Sequence, residues 1–264
     1  MYTEDDLTLI IGGYKENPYL EECIQSLMRQ TVRSHIIIST STPCPFLNQM
    51  AEKYQLEIYT NDEPEAIGNW NFGIQKTKTP LVTIIHQDDI YEPEYVKKIL
   101  ESINSSRQPL IAFSDSFEVR NGEKVYHSRL LHIKRILLFP LRAKILRGSK
   151  FVRHRSLSLG NGICCPAVTY VRPNLPEPIF VSDYKCDQDW HTWERLSKLE
   201  GDFLYVPEPL VGHRISVGSG TSQFIEDGRR RAEDLEMFKK FWPKGIANAL
   251  AKLYAAAEKS NGGN

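Results

Sequence analysis

Hydrophobic residues in this chain come in short dense runs, separated by stretches in which they recur at helical spacing. The first run, LTLIIG at 7–12, is apolar throughout and stops at Gly12-Gly13, the pattern of a strand covered on both faces. NPYLEECIQSLMRQ then places Leu20, Ile24, Leu27 and Met28 on one helical face, with Asn17 as cap and Pro18 in the first turn. SHIIIST predicts a second strand, FLNQMAEKY a helix, and LEIYTN a third strand. A helix with Ile67, Trp70 and Ile74 on its apolar side leads to a fourth strand, PLVTIIH. Strand and helix alternate with short gaps, as in βαβ units on a parallel sheet. Ligands of such sheets bind beyond the carboxyl ends of the strands.

The second half is less regular. EPEYVKKILESIN predicts a helix, and LIAFSDSFEVRNGEKVYH a hairpin turning at Asn121-Gly122. LSLGNGICCPAVTYVRP reads as a strand after a glycine-rich turn, and CDQDWHTWERLSKLEG as a helix anchored by Trp190, Trp193 and Leu196. DFLYVPEPLVGHRIS suggests a strand and a turn, and VGSGTSQFI a mobile segment. One helical region, from about Glu226 to Ala257, carries Leu235, Phe238, Phe241 and Trp242, and a disordered tail is expected from Glu258. There is no internal repeat and no G-x-G-x-x-G dinucleotide fingerprint.

Composition changes this picture little. The 264 residues are 41% hydrophobic and 25% charged, ordinary for a globular protein. Lys plus Arg and Asp plus Glu both total 33, so net charge points to no nucleic-acid or membrane partner. Neither a signal peptide nor an apolar run of membrane-spanning length is visible. Five cysteines without regular spacing argue against a disulfide framework and suit a reducing cytosol. One local asymmetry stands out: Lys124 to Pro176 holds eleven Lys or Arg and no Asp or Glu.

The candidate chemistry begins where the fourth strand ends, in HQDDIYEP. Asp88 and Asp89 are adjacent carboxylates, and something must compensate their repulsion: a cation, a helix N-terminus or water. Two carboxylates on one loop suit a hard divalent cation such as Mg²⁺ or Mn²⁺, and also suit a helix cap.

Five segments in order, IIGGYKENPYLEECIQSLMRQT, GNWNFGI, VTIIHQDDIYEPEYV, DQDWHTWERL and YVPEPLVGHRIS, resemble the family 2 glycosyltransferases across residues 5 to 245. The resemblance implies an α/β GT-A fold: a Rossmann-like, mostly parallel central sheet flanked by helices, with a helical C-terminal extension. It implies a domain over 1–225, with a nucleotide-sugar half (1–100) and an acceptor half (101–225), and the extension over 226–264. The implied enzyme is inverting and uses Mn²⁺ or Mg²⁺ with a nucleotide-sugar donor. The implied acceptor is a glycan or lipid-linked molecule, and the implied location is the cytoplasm or the inner face of a membrane.

The resemblance also places the residues. The D-x-D position falls on Gln87-Asp88-Asp89, or on His86-Gln87-Asp88 if the frame slips; Asp89 is the expected metal ligand, with Asp88 as helper and His213 as a third ligand or diphosphate contact. Counting four residues back from Trp193-Glu194-Arg195-Leu196 gives Asp189 as the base; Gln188 stands where Glu is usual, which keeps Asp187 as an alternative. Gly12, Gly13, Tyr14 and Glu16 match the loop that cradles base and ribose. Ser39-Thr40-Ser41-Thr42 replaces an Asp-Asp-Gly-Ser-like run, leaving Thr40 as the contact and the nucleobase open, UDP first. Asn69 and Asn71 are expected to meet the nucleotide, Arg214 the phosphates, and Asn161, Gly162 and Trp190 the acceptor. The basic stretch has three readings: an anionic acceptor site, an anionic membrane surface, or a solvated face. A non-catalytic sugar- or nucleotide-binding module and a nucleotidyltransferase are the alternatives. For the latter, GGYKENP is a poor phosphate loop.

Overall fold

A computed structural model describes residues 1–63, 65–215 and 229–261, with side chains to Ala255. Its centre is a nine-stranded sheet. Strands β1 (Leu7–Gly13), β2 (His35–Thr40), β3 (Glu57–Thr60) and β4 (Leu81–His86) form a parallel wing in the order 3-2-1-4. β8 (Val168–Val171) runs antiparallel between β4 and the long β6 (Pro109–Arg120). β9 (Asp202–Ile215) lies parallel to β6 on its other side. β7 (Glu123–Val125) folds back on β6 as the expected hairpin, its turn made by Asn121 and Gly122 at φ 51° and 84°. This is the mostly parallel, helix-flanked architecture that the alternation predicts.

The alternation of side chains in β1 shows why both faces must be covered. Leu7, Leu9 and Ile11 pack with α1 (Leu20–Met28), α2 (Pro45–Tyr54) and α4 (Tyr95–Asn104), while Ile10 turns to the opposite layer. That second layer holds α3 (Ala66–Lys76), α7 (Gln188–Leu196), α8 (Arg229–Phe241) and α9 (Lys244–Asn261). Two further helices, α5 (Arg129–Leu138) and α6 (Lys150–Ser156), occupy the basic stretch. Trp190, Trp193, Phe238 and Met237 are fully enclosed there, so the C-terminal helices belong to the same apolar layer as α7.

Several boundaries differ from expectation, each for a physical reason. α1 starts at Leu20, because Asn17 caps a preceding turn by accepting the Tyr19 N–H, and Met28 is exposed at the helix end. The single C-terminal helical region is two helices, broken at Pro243, which cannot continue a helical ladder. α9 runs to Asn261, past the expected start of disorder, up to the Gly262-Gly263 pair. The strand and turn at 202–215 form one continuous strand, irregular beside Asp115, where Pro207 and Pro209 cannot donate to the ladder. The mobile segment expected at 217–225 lies outside the described residues.

Among the elements that were not foreseen is a very short strand at the site. β5 is only Ile90–Tyr91, and it pairs antiparallel with Gly212 and Val211 of β9. Gly212 makes that close pairing feasible, since a Cβ there would lie 2.5 Å from the Phe117 ring and 2.7 Å from Ile90. Gly212→Ala should therefore destabilise the fold by about 1–3 kcal/mol through overpacking, read as a lower midpoint in urea unfolding.

Candidate active site

The β5–β9 register decides what faces the carboxylate pair. Ile90 lies opposite Gly212, so the residue before it, Asp89, falls opposite His213. Asp89 is wholly buried, and its Oδ1 accepts the Arg214 backbone N–H at 2.8 Å. His213 Nδ1 approaches its two oxygens at 3.2 and 3.4 Å, and His86 Nδ1 lies 3.7 Å away. Burial alone would push this carboxyl up. The charge and hydrogen bond of His213, with His86 and the Arg214 amide, outweigh burial and hold it below its ordinary value. Asp88 behaves oppositely: half-buried, it is raised by desolvation and by the Asp89 charge.

Arg214 braces this corner. Its Nε donates to the Asp88 carbonyl at 2.8 Å, its Nη2 to Glu22 at 2.6 Å, and its guanidinium sits 4.0 Å from the Tyr19 ring centre. It is buried and committed, so it acts on the site through Asp88 and not, as expected, as a free phosphate ligand.

Side-chain amides hold the neighbouring loops. Gln87 accepts the Tyr14 N–H at 2.9 Å and donates back to the Tyr14 carbonyl at 2.8 Å, clamping the loop after β1 to the end of β4. The Tyr14 ring and Glu16 are left exposed at the rim, above Gly12 and Gly13. Asn71 pairs in the same way with the backbone of Phe180, at 2.7 and 3.1 Å. Asn69 is buried and spends its amide on Ser39 and Asn61, while the Thr40 hydroxyl accepts the Thr42 N–H. Asn69 and Asn71 therefore shape the pocket floor and do not project into it. Trp70 stacks on His86 with centroids 5.9 Å apart.

Asp189 stands in the first turn of α7, half-buried. Its Oδ2 accepts from Asn161 at 3.2 Å and its Oδ1 from the Trp190 N–H at 2.6 Å. Burial raises this carboxyl despite those two donors, which suits a base that must take a proton near neutral pH. The alternative, Asp187, is nearly inaccessible and is raised to about 9 by burial, then by Asp234 and Asp189. It is a protonated acid at neutral pH and a poor base. Trp190 must be corrected: it is fully enclosed against Phe238, Phe241 and Tyr254, with its indole N–H on the Leu157 carbonyl, and cannot face an acceptor. Gly162 is likewise enclosed, against Leu137 and Leu138, and only Asn161 of that turn reaches the base.

Gln87, His86 and Glu233 were missed as site residues. The Glu233 carboxylate, from α8, accepts the backbone N–H groups of Lys185, Cys186 and Asp187 at 2.7 to 3.2 Å, and so anchors the loop that leads to the base. The partners of Gln87 and Glu233 are backbone groups 73 and 46 to 48 residues away, which nothing local in the sequence marks, whereas His86 meets the Asp89 carboxylate and the Trp70 ring.

A divalent cation has a compatible donor set in Asp89 and His213, one carboxylate and one imidazole converging on one point. No cage of three or more His, Cys, Asp or Glu groups exists among the described residues. A cation here would have to complete its coordination with ligand oxygens and water, as Mg²⁺ commonly does with phosphates.

The profile described as Glycosyl transferase family 2 matches residues 8–172. The chain belongs to that family. Glycosyltransferase GlyA of Streptococcus pneumoniae serotype 4 is 23% identical over 137 residues, which is 50% of this chain and 20% of GlyA, so the chain spans only a fifth of that relative. Among solved structures, Staphylococcus aureus TarS 1-349 in complex with UDP-GlcNAc aligns with TM-score 0.60 at 14% identity, covering 93% of this chain and 70% of that one. The mannosyltransferase PcManGT of Pyrobaculum calidifontis, in complex with GDP-Man and Mn²⁺, aligns with TM-score 0.63 at 14% identity, covering 96% and 70%. Mycobacterium tuberculosis glucosyl-3-phosphoglycerate synthase, with Mn²⁺ and UDP-glucose, gives TM-score 0.57 at 15% identity over 88% and 79%. These structures share the GT-A architecture.

Two outcomes follow. His213 is raised above its ordinary pKa, burial being outweighed by Asp89, so the stability it contributes is full below about pH 6.5 and lost as pH rises through its folded-state value. In His213→Gln, unfolding free energy measured against pH should lose that decline. Asn161→Ala removes a donor that favours ionised Asp189, so the acid limb of the transfer rate should move to higher pH.

Proposed function

We propose that this chain is an inverting glycosyltransferase. It moves a hexose or N-acetylhexosamine from a nucleotide-sugar, a UDP-sugar first, to a hydroxyl of a glycan, glycoprotein or lipid-linked acceptor in bacterial surface polysaccharide or glycan synthesis. The observation that carries this reading is a pair of carboxylates of opposite character, both close to His86. Asp89 is held ionised beside His213, Asp189 is raised toward a base, and His86 bears on both.

In this reading the nucleotide lies beyond the carboxyl ends of β1, β2 and β4, with its base against Tyr14 and the β1 glycines. Asp89 and His213 would hold Mn²⁺ or Mg²⁺, which when bound neutralises charge on the departing diphosphate. Asp189 takes the proton of the acceptor hydroxyl as its oxygen attacks the anomeric carbon. The bond from that carbon to the diphosphate oxygen breaks on the opposite face, and configuration inverts. Asn161 keeps the carboxylate aimed, and Glu233 keeps its loop in place. The second strand ends on the buried hydroxyls of Ser39 and Thr40, with no carboxylate there to read a base. Discrimination between nucleobases then falls to backbone groups and to Tyr14.

Calorimetric titration of UDP, GDP and dTDP, with Mn²⁺ and with EDTA, tests the donor site. One nucleotide should bind with metal and lose that dependence in Asp89→Ala. Asp189→Asn should bind it normally and lose at least about 100-fold in transfer. Metal-independent binding would favour a non-catalytic module, and no nucleotide binding at all would overturn the proposal.

A further inference from the structure

The acid-free stretch folds as α5, α6 and the short turns between them, and its exposed side chains are not those of a solvated face. On α5 and the turn after it, the outward positions are Arg129, His132, Ile133, Ile136 and Phe139, a single helical stripe whose last three members are apolar. Ile136 is 59% exposed, Phe139 65%, Ile145 90% and Phe151 71%. Six of the fourteen large apolar side chains exposed among the described residues fall between Ile133 and Leu159, one tenth of the chain. Single exposed apolar residues are ordinary, but a concentrated group marks a contact surface.

Charge on the same surface narrows the partner. Arg129, Arg142, Lys144, Arg147 and Arg155 form no ion pair with any described acid, and Arg142 and Arg155 lie over Phe139 and Phe151 at 5.8 and 5.7 Å. The chain as a whole is neutral, so the stretch carries +11 against −11 elsewhere. A hydrated face would explain the cations but not the apolar residues, and an ordinary protein interface would explain the apolar residues but not so many unpaired cations. Apolar side chains interleaved with Lys and Arg match a bilayer, where the former enter the headgroup boundary and the latter meet lipid phosphates.

The position of the surface gives it a purpose. Gly160 packs on Tyr254 of α9 and on Leu137 of α5, where an added Cβ would lie 3.0 and 3.8 Å away; Gly162 packs on Leu138. Between them, Asn161 holds Asp189. Helix α5 and the base are thus joined through one three-residue turn, and Leu159 and Leu253, the chain neighbours of Gly160 and Tyr254, are exposed. No helix among the described residues is long and apolar enough to cross a membrane.

We propose that the α5–α6 face docks on an anionic phospholipid surface and presents the Asp189 end of the site to acceptors held in that surface. The lipid contact stands without the transferase reading; only the delivery of acceptor rests on it. The test floats the full chain, without nucleotide, with vesicles of phosphatidylcholine alone or mixed equally with phosphatidylglycerol. It should rise with the anionic vesicles, less so in high salt. Ile136→Ser combined with Phe139→Ser and Ile145→Ser should weaken binding about tenfold or more, with the thermal melt and UDP affinity unchanged. Arg142→Gln with Lys144→Gln should also weaken it and reduce its salt dependence. The proposal is overturned by no flotation, by equal flotation with neutral vesicles, or by binding that the serine variant retains, which would indicate an attraction to polyanions only. A dimer in sedimentation that the serine variant converts to monomer would assign the face to a second copy instead. Nucleotide binding that fails while flotation succeeds would sink the transferase reading alone.

Discussion

A wholly buried, ionised carboxylate is the constraint on which this site depends. Taking Asp89 out of water is expensive, and the cost is met only if donors sit at fixed positions around both oxygens. The Arg214 amide is such a donor because β9 continues past Gly212, held there by β6, and the two-residue β5 brings Asp89 alongside it. A backbone N–H bound to a charged acceptor is worth about 1.5–3 kcal/mol, well above a neutral hydrogen bond. The carboxylate and the strand pairing therefore stabilise each other, and the shortest strand in the sheet is held by the most buried charge.

Around that point the chain uses amides in the places where more charge would be costly. Gln87 occupies the first position of the metal motif, where a third adjacent carboxylate would add repulsion to Asp88, already raised by Asp89. Its two-way pairing with Tyr14 instead fixes the loop after β1 without any charge. Asn71 does the same for Phe180, and Asn69 for the ends of β2 and β3. Neutral bidentate clamps position backbone at little electrostatic cost, so the rim stays rigid while its charge is concentrated at Asp88, Asp89 and Asp189.

The parallel wing was legible in the sequence because LTLIIG, HIIIST and LVTIIH are dense apolar runs with helices at regular spacing between them. The Asp88–Asp89 pair and Asp189 were singled out because the segments that carry them resemble a known family. What could not be read was non-local. β5 is two residues long and has no periodicity of its own. Trp190 was read as facing the acceptor, one residue from the base, but in a helix that step turns the side chain about 100° and into the core. Arg214, Asn69 and Asn71 were read as ligands from residue type and position, yet their hydrogen bonds are spent on partners from 8 to 192 residues away. Polar residues near a site are as readily its scaffold as its contacts, and only burial separates the two.

Two features of the second half are parts of one arrangement. Asp189 is carried by α7, whose approach loop is tied to Glu233 of α8 and whose Trp190 is enclosed by α8 and α9. The same α9 packs on Gly160, in the turn that brings Asn161 to Asp189. The position of Asp189 thus depends on helices in the last part of the chain, while Asp89 is placed by β4, β5 and β9. Leu137 and Leu138 of α5 pack against the same turn, so a surface that engages α5 would bear on the Asp189 end. In the reading proposed above, donor binding and acceptor presentation would then rest on different parts of the fold: the first on strand pairing within the sheet, the second on helices packed on one side of it.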